Sequence, residues 1–122
     1  MDSYGILYEH NILENQLIDY LDRITFLKRE WSCSFDEVEN YLFETPVALL
    51  FISVESPSKE TIVLLEKLVF SNNTIVISSP HALPNFEKIL PLSVIDYIIR
   101  PLNFELIVNA VTKYSSKYDS EL

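Results

Sequence analysis

The chain has 122 residues, 48% apolar and 22% charged, which suits one globular domain able to bury a sizeable core and excludes a disordered chain. Its formal net charge of −9 excludes the basic footprint that a nucleic-acid duplex or an anionic membrane surface demands. The lone cysteine, Cys33, excludes an internal disulfide and a cysteine-rich metal centre.

No basic N-terminal stretch leads into an apolar segment, and the longest apolar run falls far below the ~18 residues of a membrane span. A reduced, cytoplasmic domain without membrane contact is the expectation. Gly5 is the single glycine, so turns must rely on Asn, Asp, Ser and the six prolines, which fall between the periodic segments.

Gly5-Ile6-Leu7-Tyr8 reads as a strand that ends in the polar group Glu9-His10-Asn11. Leu13, Leu17, Tyr20, Leu21 and Ile24 then recur at spacings of three and four, one face of a helix of about four turns. Asn11 suits its N-cap, with Glu14 as capping-box partner, and Lys28 and Arg29 suit the far end of its dipole. Trp31-Ser32-Cys33 is read as a short edge strand, with Cys33 inert because nothing nearby lowers a thiol pKa. Ser34-Phe35-Asp36-Glu37 fits a Ser-x-x-Glu capping box for a second helix carrying Val38, Tyr41 and Leu42, closed by Thr45-Pro46. Asp36, Glu37 and Glu39 are most simply a solvated face.

Val47-Ala48-Leu49-Leu50-Phe51-Ile52 has no polar alternation, the mark of a strand buried on both faces at the centre of a parallel sheet. It turns polar at Ser53. Ser58 suits the N-cap of a third helix with Ile62, Leu65, Leu68 and Val69 on one face, broken by Ser71-Asn72-Asn73. Thr74-Ile75-Val76-Ile77 is a further strand, ending in Ser78-Ser79-Pro80. A weak helix is placed at Pro84 to Leu90, and Val94 to Ile99 form a fifth strand that ends at Arg100-Pro101. Asn103 caps a last helix with Leu106, Ile107, Ala110, Val111 and Tyr114 inward, and the tail frays from about Ser115. Strand and helix alternate throughout, which predicts a single α/β domain over residues 1–122, doubly wound around a parallel sheet.

In such a sheet the C-terminal strand ends converge on one rim, where open α/β folds do their chemistry. Here that rim gathers Glu9, His10, Ser53, Ser78 and Arg100. A polar residue ending the central strand, with Pro57 four positions later, resembles the phosphoacceptor strand of response-regulator receiver domains. Asp96-Tyr97-Ile98-Ile99-Arg100-Pro101 with Phe104 is similar to the Asp-Tyr-x-x-Lys-Pro-x-x-Phe pattern of receivers in LytTR-type regulators. The resemblance covers residues 4 to 115 and implies a flavodoxin-like (βα)5 sandwich with a five-stranded parallel sheet. It puts Glu9 and His10 on the family's acidic, Mg²⁺-holding pair, Ser53 on the phosphorylated aspartate and Ser78 on the strand-end hydroxyl. It puts Arg100 on the lysine, Tyr97 on the aromatic switch position, and a cis bond at Arg100–Pro101.

The departures are chemical. Ser53 offers no acyl phosphate and no anionic metal ligand, and a serine nucleophile needs a neighbouring base. His10 is a soft ligand for Mg²⁺, and Arg100 is not interchangeable with a point ammonium. The glycines usual after the third strand and before the fifth are missing. The expectation is therefore a degenerate bacterial receiver, a pseudo-receiver, without enzymatic activity or a catalytic residue, with Mg²⁺ binding weak or absent. It would act as a phosphorylation-independent signalling module that docks a protein partner and does not bind nucleic acid directly. Its expected partner or homodimer surface is the face of the fourth helix, fifth strand and fifth helix, with Tyr97, Phe104 and Ile107 partly or wholly exposed. Two other readings stay open. One is displaced phosphate or anion chemistry, or a small enzyme using Ser53 and His10; the other is the regulatory domain of a longer transcription factor. Arg100 is expected to pair with a carboxylate such as Glu9 or to hold an anion, His10 is a hydrogen-bonded loop histidine or a ligand, and Tyr97 is static core or a switch.

Overall fold

The β-branched, apolar segments pair edge to edge, all parallel, in one sheet of order β2-β1-β3-β4-β5. The strands are β1 (Asp2–Tyr8), β2 (Leu27–Ser34), β3 (Leu49–Ser53), β4 (Thr74–Ser78) and β5 (Val94–Ile99). The computed structural model describes residues 2–9, 11–55, 58–80 and 94–120, with the backbone alone for 11–14 and 117–120. Its helices are α1 (Asn11–Leu21), α2 (Val38–Glu44), α3 (Lys59–Ser71) and α4 (Phe104–Ser120). The weak helix expected at Pro84 to Leu90 lies outside the described residues, as do His10 and Pro57; the side chains of Asn11, Leu13 and Glu14 do too.

Because strand side chains alternate between faces, each face of the sheet carries its own core. Tyr4, Ile6, Leu49, Phe51, Ile75 and Ile77 meet Leu17 and Leu21 of α1 and Ile107, Ala110, Val111 and Tyr114 of α4. On the other face Leu7, Leu50, Ile52 and Val76 meet Val38 of α2 and Leu65, Leu68 and Val69 of α3. Central β3 is buried at every position, as an unbroken apolar run in a doubly covered sheet requires.

Several local expectations are corrected. α1 ends at Leu21, where the Arg23 and Ile24 N–H groups turn back onto the Tyr20 and Leu21 carbonyls at 3.2 and 3.0 Å, a tightened final turn. Ile24 thus packs from a turn, and Lys28 and Arg29 lie on β2 instead of closing a helix. β2 runs eight residues, well beyond Trp31-Ser32-Cys33, and is an edge strand as expected. The expected capping box is a turn: α2 starts at Val38 with Glu37 as an N-cap that makes no side-chain cap, and the Ser34 hydroxyl reaches only the Glu37 carboxylate at 3.5 Å. Leu106 is 36% exposed and Ile107 fully buried, because the inward stripe of α4 starts at Ile107 and a one-residue step turns the helix by about 100°. α4 continues to Ser120, past the point where fraying was expected.

Two caps sit where the sequence puts them. The Ser58 hydroxyl accepts the Thr61 N–H at 3.2 Å, and the Asn103 side-chain oxygen accepts the Leu106 N–H at 2.8 Å. Cys33 is a buried thiol within the α2/α3-side core. Among the described residues no helix is long and apolar enough to cross a membrane.

Candidate functional site at the C-terminal rim of the sheet

Parallel pairing brings the ends of β1, β3, β4 and β5 side by side, and backbone hydrogen bonds knit them past the last ladder residues. The Glu9 N–H donates to the Ser53 carbonyl at 3.0 Å, the Val54 N–H to Ile77 at 2.9 Å, and the Arg100 N–H to Ser78 at 2.9 Å. The rim is thus a continuous, ordered edge onto which Glu9, Ser53, Ser78 and Arg100 are placed by register.

Arg100 dominates it. From the end of β5 its side chain reaches back across β4, a span of roughly 9–10 Å at the usual strand spacing. There it donates to the Val54 carbonyl at 2.7 Å and to the Ser53 hydroxyl at 2.8 Å. Burial pulls the guanidinium below its ordinary pKa range, against which Glu55, Glu9 and Tyr97 act in the opposite sense. It stays charged at neutral pH, as guanidinium does in proteins. Its Nε is buried with no hydrogen-bond partner. The expected Arg100–Glu9 relation is thus electrostatic, while the direct contacts of Arg100 go to β3. Arg100–Pro101 is a cis peptide, as the resemblance implies.

Ser53 is 2% exposed, and a proton donor sits on its oxygen. That is the reverse of a general base, so nothing in this contact activates the hydroxyl. The Glu9 carboxylate accepts the Glu55 N–H at 3.2 Å. Ser78, fully buried, donates to the Ser79 carbonyl at 3.0 Å and shares a hydrogen bond with the Tyr97 hydroxyl. Burial pushes the Tyr97 phenol up, and the Ser78 contact and Arg100 act against it. Ser79 Oγ donates to the Glu55 carbonyl at 2.9 Å.

Sequence reasoning missed the Ser78–Tyr97 bond and the part of Ser79. The first was findable: Tyr97 stands opposite Val76, two residues before Ser78 and on the same face. The second had only the doubled serine as a signal. Of the residues placed on the interaction face, Tyr97 is half-buried and packs on the α2/α3-side core, and Ile107 is inaccessible. Phe104 is half-buried, 6.0 Å from the Tyr20 ring, with the Arg23 guanidinium 5.4 Å from its centroid. Among the described residues, the large exposed apolar groups on β5 and α4 are Ile99 and Leu106.

The residues described at this rim do not fit a hard divalent cation, which takes several oxygen ligands and carboxylate charge. Glu9 and Glu55 face a resident guanidinium, and the central strand contributes a hydroxyl already bonded to it. Among the described residues no three His, Cys, Asp or Glu side chains gather as a metal site.

No family model matches the chain. It is 30% identical over 102 residues to the transcriptional regulatory protein MalR of Bacillus subtilis (strain 168), a match covering 80% of this chain and 43% of that protein. The chain therefore spans less than half the length of this relative. Among solved structures it is similar to the REC domain of AraT, a response regulator from Geobacillus stearothermophilus, with TM-score 0.81, 18% identity, and 98% and 97% of the two chains covered. It is also similar to the signal receiver domain of a modulated diguanylate cyclase from Desulfovibrio desulfuricans G20, with TM-score 0.82, 10% identity, and 100% and 99% covered. The flavodoxin-like fold of response-regulator receiver domains, five parallel strands in one sheet, is the fold of this chain.

Proposed function

We propose that this chain is a degenerate receiver domain that takes up no phosphoryl group at Ser53 and regulates by docking a protein partner, without catalysis of its own. The observation that carries this reading is the Arg100 guanidinium on the Ser53 hydroxyl and the Val54 carbonyl. Where a phosphorylatable receiver would offer a central carboxylate to a metal ion, this rim offers a hydroxyl already held by the chain's own cation, with Glu9 as the carboxylate that the end of β1 brings beside it. Mg²⁺ binding is then weak or absent. Tyr97 is held on Ser78 by the same ordered rim, and any shift of its position answers to a partner that binds the two arrangements unequally. The match to part of a transcriptional regulator supports a regulatory setting in which an effector segment, and not this acidic domain, contacts DNA.

The test is an NMR titration of the backbone amides with Mg²⁺ and then beryllofluoride, a phosphoryl mimic. Amides around Glu9, Ser53, Ser78 and Tyr97 are expected to stay in place. Saturable shifts there that spread to Tyr97 would defeat the proposal. Ser53→Asp alone is expected to gain no label from acetyl phosphate, because His10 still stands at a position where the resemblance calls for a metal-holding carboxylate.

A further inference from the structure

The backbone at the end of β3 is held more tightly than an exposed turn requires. Three consecutive carbonyls, those of Ser53, Val54 and Glu55, accept from three different strand ends. Their donors are the Glu9 N–H after β1 at 3.0 Å, the Arg100 guanidinium after β5 at 2.7 Å, and the Ser79 hydroxyl after β4 at 2.9 Å. The Glu55 N–H is taken as well, by the Glu9 carboxylate at 3.2 Å. Glu55 is exposed, so water could satisfy its peptide. What Ser79 and Glu9 add is a fixed position for that peptide.

Arg100 shows what that position does. Glu55 and Glu9 both lie near enough to favour its charged form, and a guanidinium bonds a carboxylate more strongly than a carbonyl or a hydroxyl. Its Nη groups nonetheless go to the Val54 carbonyl and the Ser53 hydroxyl. Its buried Nε has no hydrogen-bond partner, an arrangement that costs free energy. A side chain following its own preference would turn towards the carboxylates. We infer that Val54 and Glu55 form a clasp: Ser79 and Glu9 pin the Glu55 peptide so that the Val54 carbonyl holds Arg100 on the central strand. Ser79 and Glu9 are thus positioning residues for Arg100. The inference rests on the reading of a rim held by its own cation and adds its regulation. A partner that needs Arg100 released must bind the unclasped arrangement more tightly than the clasped one.

The experiment is NMR of the arginine side-chain N–H groups in the whole chain, without metal or phosphate. Held on two acceptors, the Arg100 Nη groups are expected to give separate, slowly exchanging resonances. In Ser79→Ala these are expected to average, and hydrogen exchange at the Glu55 amide to quicken about tenfold, the effect of losing one hydrogen bond. Ser79→Thr keeps a hydroxyl and is expected to restore both. Glu9→Gln removes the charge but keeps an acceptor for the Glu55 N–H, so it should retain the separate resonances, whereas Glu9→Ala should lose them. That pair repeats the test from another strand should Ser79→Ala fail to fold. Unchanged Arg100 resonances in the alanine variants would overturn the inference. So would an equal loss in Glu9→Gln and Glu9→Ala, since charge and not the pinned peptide would then position Arg100. Beryllofluoride shifts in the unaltered chain would defeat the reading of the rim and leave these comparisons intact, so either can fail without the other.

Discussion

The only glycine sits under the only tryptophan. A Cβ built on Gly5 would lie 2.7 Å from two atoms of the Trp31 indole, closer than two carbons can pack. Gly5 does not serve a turn, and its backbone is not in the left-handed region. The same indole donates to the Thr45 carbonyl at 2.8 Å and lies tilted against the Tyr41 ring, 5.5 Å between centroids. Through Trp31, Gly5 therefore sets the seat of α2. Gly5→Ala is expected to cost roughly 1–3 kcal/mol, the usual range for overpacking a core, with an altered Trp31 fluorescence. Urea unfolding measures the loss, and adding Trp31→Leu should recover part of it. Tyr4 makes a second residue-scale case. Burial, then Asp22, raise its phenol to about 12, with Arg29 acting in the opposite sense. A pKa raised in the folded state means stability that is complete below the unfolded value near 10 and is lost as pH climbs towards 12. The loss is at most about 2–3 kcal/mol. Urea unfolding at pH values on either side of this window should show it, and Tyr4→Phe should flatten that part of the profile.

At the scale of elements, what could be read in the sequence was whatever short-range physics decides. β3 announces itself because six consecutive apolar residues, 47–52, leave no polar face for water. Ser58 and Asn103 announce the starts of α3 and α4 because their side chains satisfy N–H groups that no helix can satisfy itself. The end of α1 and the length of β2 were not legible, since Lys28, Arg29 and Glu30 look like a helix end until β1 supplies the pairing. Glu30 is the extra residue of a bulge, between Arg29 opposite Tyr4 and Trp31 opposite Gly5. Its neighbours Lys28 and Arg29 are exposed on the edge strand, charges that discourage further strand pairing. The four rim positions were legible because parallel topology alone aligns strand ends. The partners of Arg100 were not, since they depend on a side chain crossing a strand. Caps give the sharpest check. Asn103→Ala is expected to cost about 1 kcal/mol, whereas Ser34→Ala, at the turn that resembled a capping box, should fall within about 0.5 kcal/mol. Parallel denaturant melts of the two variants compare them directly; an equal loss would mean that Ser34 caps α2 after all.

For the molecule as a whole, charge is the largest unspent term. A net −9 on 122 residues is self-repulsion that the compact state feels more than the unfolded chain, and salt should relieve it. The ion pairs that salt would weaken in return are few among the described residues: Lys67–Glu39 is exposed on both sides, and Lys113–Asp96 at 3.1 Å is exposed at the lysine, so each is worth little. Raising KCl from low concentration is therefore expected to raise the melting temperature by a few degrees, roughly what 1 kcal/mol does for a domain of this size. The same argument separates screening from binding. A metal that binds the folded chain adds RT ln(1 + [L]/Kd) on top of any screening, whereas a dication that only screens adds nothing further. MgCl₂ and putrescine dihydrochloride, matched in concentration, carry the same charge, but only Mg²⁺ can be held by carboxylate oxygens. With Arg100 already lying against Ser53 and Val54, the two salts are expected to give the same melting temperature. A surplus for Mg²⁺ that saturates, and that disappears in Glu9→Gln, would place a metal at the rim and return Glu9 to a metal-binding role.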